Sequence, residues 1–470
     1  MNRDFLVASA AEIAAAVRQR SVSARAVTEL ALAQVGATHA DLNAFTLVTA
    51  ERARAEAAAV DDAVAAGRDP GPLAGAPYAV KNLFDLAGCV TVAGSKINRE
   101  RPPAAEDAAC VERLRRAGAV CLGALNMGEY AYDFLTDNAH DGSTRNPHDL
   151  ARSAGGSSGG CGAAVAAGLV PFSIGTDTNG SIRVPSSFCG IWGLKPTYGR
   201  LSRAGSFPFV DSLDHIGPFA RTVADLAAAY DAMQGPDPRD AACAFRPPEP
   251  AGPGIAAGIE GLRIATLGGY FEAQCPPQAR SAVAVVARAL GVSAGGRRVE
   301  LPQAGLARAA AFLITATEGG ALHLGRTRTR AGDFDQKLRD RFIAGALTPS
   351  AWYVHAQKFR AWFRAQVREV FREVDVLLAP ATPIPAPFLG QETMSLEGVE
   401  MPVRANLGLF TQPISFIGLP VVAAPVHTAG PQPIGVQLIA APWREATLLR
   451  VARALEAAGV CTAPVARLVA

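Results

Sequence analysis

The chain has 470 residues, 49% of them hydrophobic, a share ample for a packed core and too high for a disordered chain. Its 45 Lys and Arg against 42 Asp and Glu leave a formal charge of +3, too weak a field to argue for nucleic acid or an anionic membrane surface. A small-molecule partner is therefore expected, with no nucleic acid and no membrane.

In chain order, MNRDFLVASAAEIAAAVRQR alternates charge with Ala too evenly for the apolar core of a signal peptide, and Ser9 with Glu12 reads as a capping box opening a helix. No run approaches the roughly 18 apolar residues of a membrane span, so a cytoplasmic protein is expected. Residues 9–20 and 51–66 carry helical spacing, the second ending at Gly67 as a C′ glycine. The loop DPGPLAGAP and a short apolar strand, YAV, then deliver Lys81. Residues 107–117 read as a helix and AVCLGAL, 119–125, as a buried strand; this alternation indicates an α/β protein. Further strands are expected at VPFSI (170), LRIATL (262), VDVLLAP (374), VVAAPV (421) and GVQLIA (435). Residues 234–258, rich in Pro, Gly and Ala, read as a linker or surface loop. A helical insertion at 275–373 follows, and because strands resume after it, one interrupted sheet is expected.

The eight Cys, at 89, 110, 121, 161, 189, 243, 275 and 461, show neither CxxC nor paired spacing, so buried free thiols are expected. No Cys/His cluster has ligand spacing, so no metal is expected, and no Walker or G-x-G-x-x-G loop supports a nucleotide cofactor. Only five of the 45 basic residues are Lys: 81, 96, 195, 337 and 358.

Two glycine-dense segments stand out, AGGSSGGCG at 154–162 and GTDTNGSIR at 175–183, with AAVAAGL and VPFSI between them. A Gly/Ser run alone suits a flexible linker, yet this one is embedded between apolar elements. Residues 155–159 also match G-x-S-x-G, but the polar, Pro-containing RNPHDLARSA before them is no nucleophile-elbow strand, and no Lys has Ser three positions ahead. Around Asn179 and Gly180, successive N–H groups can converge into an anion-binding nest beside Ser181, the arrangement acyl transfer needs. No His lies in either loop to act as base. A buried Lys81 could serve if desolvation made it neutral, although position alone favours a solvated lysine at a strand end.

These pieces together resemble the amidase signature family: PYAVKNLFD around Lys81, AGGSSGG at 154–160, GTDTNGSIRVPSSFCGIWGLKPTYGRLS at 175–202 and SLDHIGPFARTVAD at 212–225. The resemblance implies a single domain over 1–470 with a large mixed central β-sheet covered by helices on both faces. Its core would span 60–235 and 374–470, with a loop at about 234–258 and the helical insertion at about 275–373. It implies a Ser-Ser-Lys triad of Ser181, Ser157 and Lys81 and a cis Gly156–Ser157 bond. It also implies an oxyanion hole from the N–H groups of Thr178, Asn179, Gly180 and Ser181, with Gly156, Asp177 and Arg183 in support and no cofactor.

Within the family, DTNGSIRVPSS, AGSKINRERPPA (93–104), NPHDL (146–150) and FARTVADLAAAYDAMQGPDPRD (219–240) look most like the branch that deaminates 1-carboxybiuret to urea-1,3-dicarboxylate in cyanuric acid degradation. That branch implies a small helical partner subunit, together with a homodimer of the large subunit. Other branches act on allophanate, indoleacetamide or biuret, or serve as the glutaminase subunit of aminoacyl-tRNA amidotransferases. The last usually reads GGSIRQP where this chain has Asn179 and Val184. A non-catalytic scaffold is disfavoured because all three triad residues are present. In NMGEYAYDF (126–134), Gly128 and Asp133 stand where an acidic residue and a glycine are usual, and Cys161 stands where Ser is more familiar. Tyr132 and Asp133 are thus candidate substrate contacts, and Arg203, Arg326, Arg328 and Arg404 are available for a substrate carboxylate.

Overall fold

The computed structural model describes residues 4–273, 275–292 and 296–468. Ser9 Oγ accepts the Glu12 N–H at 3.1 Å while the Glu12 carboxylate accepts the Ser9 N–H at 2.8 Å, the reciprocal cap that opens α1 (Ala10–Arg18). Helix α2 (Ala24–Leu42), strand β1 (Phe45–Val48) and helix α3 (Ala50–Ala65) follow, and Gly67 terminates α3 at φ +70°. Strand β1 lies ahead of residue 60, outside the sheet core of 60–235 and 374–470 read from sequence. It has four residues with only the first fully buried, too little alternation to read as a strand.

Next come strand β2 (Pro77–Lys81), helix α4 (Ala109–Arg116), strand β3 (Val120–Leu125), helix α5 (Gly159–Ala166), strand β4 (Phe172–Asp177), helix α6 (Arg183–Cys189), strands β5 (Trp192–Lys195) and β6 (His215–Ala220), and helix α7 (Val223–Met233). Strands β2 to β6 are buried at every residue. Since alternate side chains point to opposite faces, helices must cover both faces of the sheet here. Residues 234–258 contain no α-helix or strand.

The remainder runs through strand β7 (Ile264–Leu267), helix α8 (Pro277–Ala289), strand β8 (Arg298–Val299), helices α9 (Ala304–Arg330), α10 (Gln336–Ala346) and α11 (Ser350–Val370), strands β9 (Val376–Pro380), β10 (Val421–Val426) and β11 (Ile434–Ala440), and helix α12 (Glu445–Ala457). The insertion at 275–373 is therefore not free of strand: β8 pairs in parallel with β7, Thr266 opposite Arg298. Two residues between helices leave no periodic trace.

The strands form one eleven-stranded mixed sheet in the order β1-β3-β2-β4-β6-β5-β10-β11-β9-β7-β8. Strands β2 and β4 are parallel neighbours, with Tyr78 opposite Phe172 and Val80 opposite Ile174. Their carboxyl ends emerge side by side, the place where α/β sheets bind ligands, and bring Lys81 next to the loop that begins after Asp177.

Candidate active site

Lys81 ends β2 with no exposed surface. Its Nζ lies 2.8 Å from Ser157 Oγ and 2.8 Å from Thr176 Oγ1. Burial pushes its pKa down to about 8, against the opposing pull of Cys161, Asp214 and Asp177. The solvated lysine that sequence position favours is thus not what the fold produces.

Ser157 precedes α5 in the glycine run, is fully buried, and follows a cis Gly156–Ser157 peptide bond. The run is packed: a Cβ at Gly156 would sit 2.5 Å from the Leu135 carbonyl carbon. Cys161, on α5, is buried with its thiol pushed up to about 12 and directed at the Ile174 carbonyl.

The loop Thr178–Ser181 joins β4 to α6. None of its four N–H groups donates to a backbone carbonyl among the described residues. Gly180 takes φ +146°, and a Cβ there would lie 2.4 Å from Thr411 Oγ1; that hydroxyl donates to the Asn179 carbonyl at 2.6 Å. Thr178 Oγ1 donates to Asp214 at 2.6 Å.

Beneath the loop, Arg183 grips both oxygens of Asp177, Nε to Oδ2 at 3.0 Å and Nη2 to Oδ1 at 2.9 Å. The guanidinium overcomes burial and holds that carboxyl well below its usual range. Arg183 Nη1 also donates to the Thr411 carbonyl at 3.0 Å and to Gln437 at 2.7 Å, tying the loop to the C-terminal strands.

Ser181 faces a small pocket whose lining includes Tyr132, Asp133, Thr178, Asn179, Thr315 and Arg341. Burial raises the Asp133 carboxyl to about 6, opposed by Arg404 and Arg341. Arg404 pairs with Asp133 and, at 3.1 Å, with Asp137, so its charge is already matched. Arg203 is held by Asp240 at 2.8 Å, Arg326 lies 5.3 Å over the Phe207 ring, and Arg328 is exposed.

The pocket's cation is instead Arg341, on α10. It donates to the Tyr132 carbonyl at 3.0 Å and stacks 4.0 Å over the Tyr132 ring. Sequence patterns do not point to Arg341 and Thr315, because both sit on insertion helices whose amphipathic spacing carries no motif. A larger cavity of about 380 Å³, lined by Phe271, Cys275 and Val283 among others, contains none of these hydroxyl and amine groups.

Known proteins resemble this chain over nearly its whole length. A profile of the Amidase family matches residues 26–449. The AtzE subunit of the 1-carboxybiuret hydrolase of Pseudomonas sp. (strain ADP) is 56% identical over 451 residues, 96% of this chain and 98% of that one. A glutamyl-tRNA(Gln) amidotransferase subunit of Chromohalobacter salexigens is 38% identical, across 95% of this chain and 96% of its own length. A solved structure described as a vestigial protein complex revealing the origins of an s-triazine catabolic enzyme superposes with a TM-score of 0.95 at 55% identity, covering 98% of this chain and 100% of that one. The 6-aminohexanoate cyclic dimer hydrolase bound to substrate superposes at 0.84 with 30% identity, covering 96% and 97%.

Proposed function

The chain belongs to the amidase signature family, and from that membership we propose that Ser181 is its nucleophile, served by Ser157 and Lys81. It is an amidohydrolase, acting on amide C–N bonds. The observation that carries the assignment is the 2.8 Å contact between the Lys81 amine and the Ser157 hydroxyl, both without solvent exposure.

A neutral Lys81 can donate to Thr176 and accept the Ser157 proton with its lone pair. Ser157 in turn takes the Ser181 proton as Oγ attacks the amide carbonyl. The oxyanion forms among the unbonded N–H groups of Thr178 to Ser181, where each lost donor typically costs about 3 to 4 kcal/mol. Ser157 then passes a proton to the departing nitrogen, ammonia leaves, and water cleaves the acyl ester by the same relay.

The substrate is a small linear amide carrying a carboxylate, with 1-carboxybiuret as leading compound and urea-1,3-dicarboxylate plus ammonia as products. The small pocket, the Arg341 guanidinium in its lining and the likeness to a 1-carboxybiuret hydrolase subunit support this. Its partners are a second copy of this chain and a small helical subunit, a reading supported by the likeness to a chain solved as part of a complex. Among the described residues no helix is long and apolar enough to cross a membrane, in keeping with a cytoplasmic enzyme.

Ammonia release from 1-carboxybiuret, biuret, allophanate, indoleacetamide and glutamine, with and without small proteins encoded nearby, tests the reading. Ser181→Ala is expected to lower release at least a thousandfold; release at the parent rate would remove the assigned nucleophile.

A further inference from the structure

Asn179, which differs from the amidotransferase pattern, and Asp133, which stands where a glycine is usual, both line the Ser181 pocket, and both carry hydrogen-bond acceptors. The orientation of the Asn179 amide is fixed by its neighbour. Thr315 Oγ1 donates its proton to the Ala311 carbonyl at 2.8 Å, so towards Asn179 it can only accept. Nδ2 must therefore face it, as observed at 2.8 Å. Oδ1 is left on the other side, buried and without a partner among the described residues, a state that costs free energy unless a ligand donates to it.

Asp133 is held as firmly. Its Oδ1 accepts the Phe134 N–H at 2.7 Å and its Oδ2 pairs with Arg404, while the side chain is 1% exposed. Each oxygen has a second lone pair, so the carboxylate can still accept. Gly128 makes room for it: a Cβ at 128 would lie 3.1 Å from Asp133 Cβ and 3.6 Å from Ser157 Cβ. The glycine and the aspartate therefore share one space, with Gly128 beside Ser157.

We infer that Asn179 Oδ1 and the Asp133 carboxylate are specificity-determining acceptors that select ureido acyl groups, with N–H beside the scissile carbonyl, over carbon-chain amides of the same shape. Arg404 is a positioning residue acting through Asp133, and Arg341 holds the far carboxylate. The inference rests on the assignment of Ser181 and its pocket as the reaction site. A site with buried acceptors rejects an analogue that lacks the matching donor far more strongly than an apolar pocket rejects a size change.

Ureidoacetate and succinamate differ only in N–H against CH₂ next to the amide carbonyl, and both end in a carboxylate. Calorimetric titration into the Ser181→Ala chain, which cannot turn either over, isolates binding. Ureidoacetate is expected to bind at least tenfold more tightly than succinamate. Adding Asp133→Ala or Asn179→Ala should cut that ratio at least threefold each while leaving succinamate within about threefold. Arg404→Ala should lower the ratio and Arg404→Lys should restore part of it, which a merely structural role would not do. Should Asp133→Ala not fold, Asp133→Val, which also lacks an acceptor, is read in its place. Equal binding of the two ligands, or a ratio unchanged in both variants, overturns the inference. Ammonia release by the parent chain separately reports on the nucleophile.

Discussion

A lysine titrating near 8 makes the proposed chemistry depend on pH in one direction. The amine accepts a proton only when neutral, and its neutral fraction falls about tenfold for each pH unit below its pKa. With burial setting that pKa at about 8, kcat should climb from pH 6 to 8 and level off above it. Ammonia release at saturating substrate across pH 6 to 9.5 measures this; a flat profile would show that Lys81 is not the base. Lys195 is also buried and lowered to about 7, but its Nζ donates to the Leu419 and Pro196 carbonyls. Ser181 and Ser157 were legible as candidates in the sequence because a geometry that excludes Cβ atoms leaves dense glycine around the hydroxyls it positions. The side-chain role proposed for Asn179 was not, since its amide is turned by Thr315, 136 positions away, a relation no local pattern encodes.

At the scale of elements, α5 shows why the GGSSGG run is structure and not a hinge. Gly160 opens its first turn, donates its N–H to the Asn126 carbonyl at 3.0 Å, and leaves no space for a side chain. A Cβ there would meet the Ala44 carbonyl oxygen and Asn126 backbone atoms at 2.6 Å. These are backbone contacts that cannot rotate away, so Gly160→Ala must push α5, and Ser157 with it, off the ends of β1 and β3. Overpacking of this kind costs about 1 to 3 kcal/mol, and a shift of a fraction of an ångström breaks the 2.8 Å contact to Lys81. A lower Tm together with at least a tenfold loss in kcat is expected, and parental values of both would refute the argument. Helices α1 and α3 and strands β2, β3, β4, β10 and β11 were readable because capping residues or long apolar runs mark them. Strands β1 and β8 were not: short edge strands lean on a neighbour's backbone, and their sequences carry little of the information.

For the whole molecule, 470 residues exceed the size at which single cores usually divide, yet the sheet order interleaves the two ends of the chain. Strand β5, before the 234–258 loop, pairs with β10, long after it, Leu194 opposite Val422. Arg183 on α6 reaches Gln437 on β11 and the Thr411 carbonyl. Neither side of the loop can bury its central strands without the other, and we propose that the chain unfolds as one domain. Loop 234–258 has no α-helix or strand, only a single 3-10 turn at Gly252–Gly254, so it is where a protease should cut first. A chain nicked there should keep its two fragments together through gel filtration, retain ammonia release and show one calorimetric transition. Fragments that separate under native conditions, or two resolved transitions in the intact chain, would mean that the β5–β10 seam is a domain boundary and not the middle of a core.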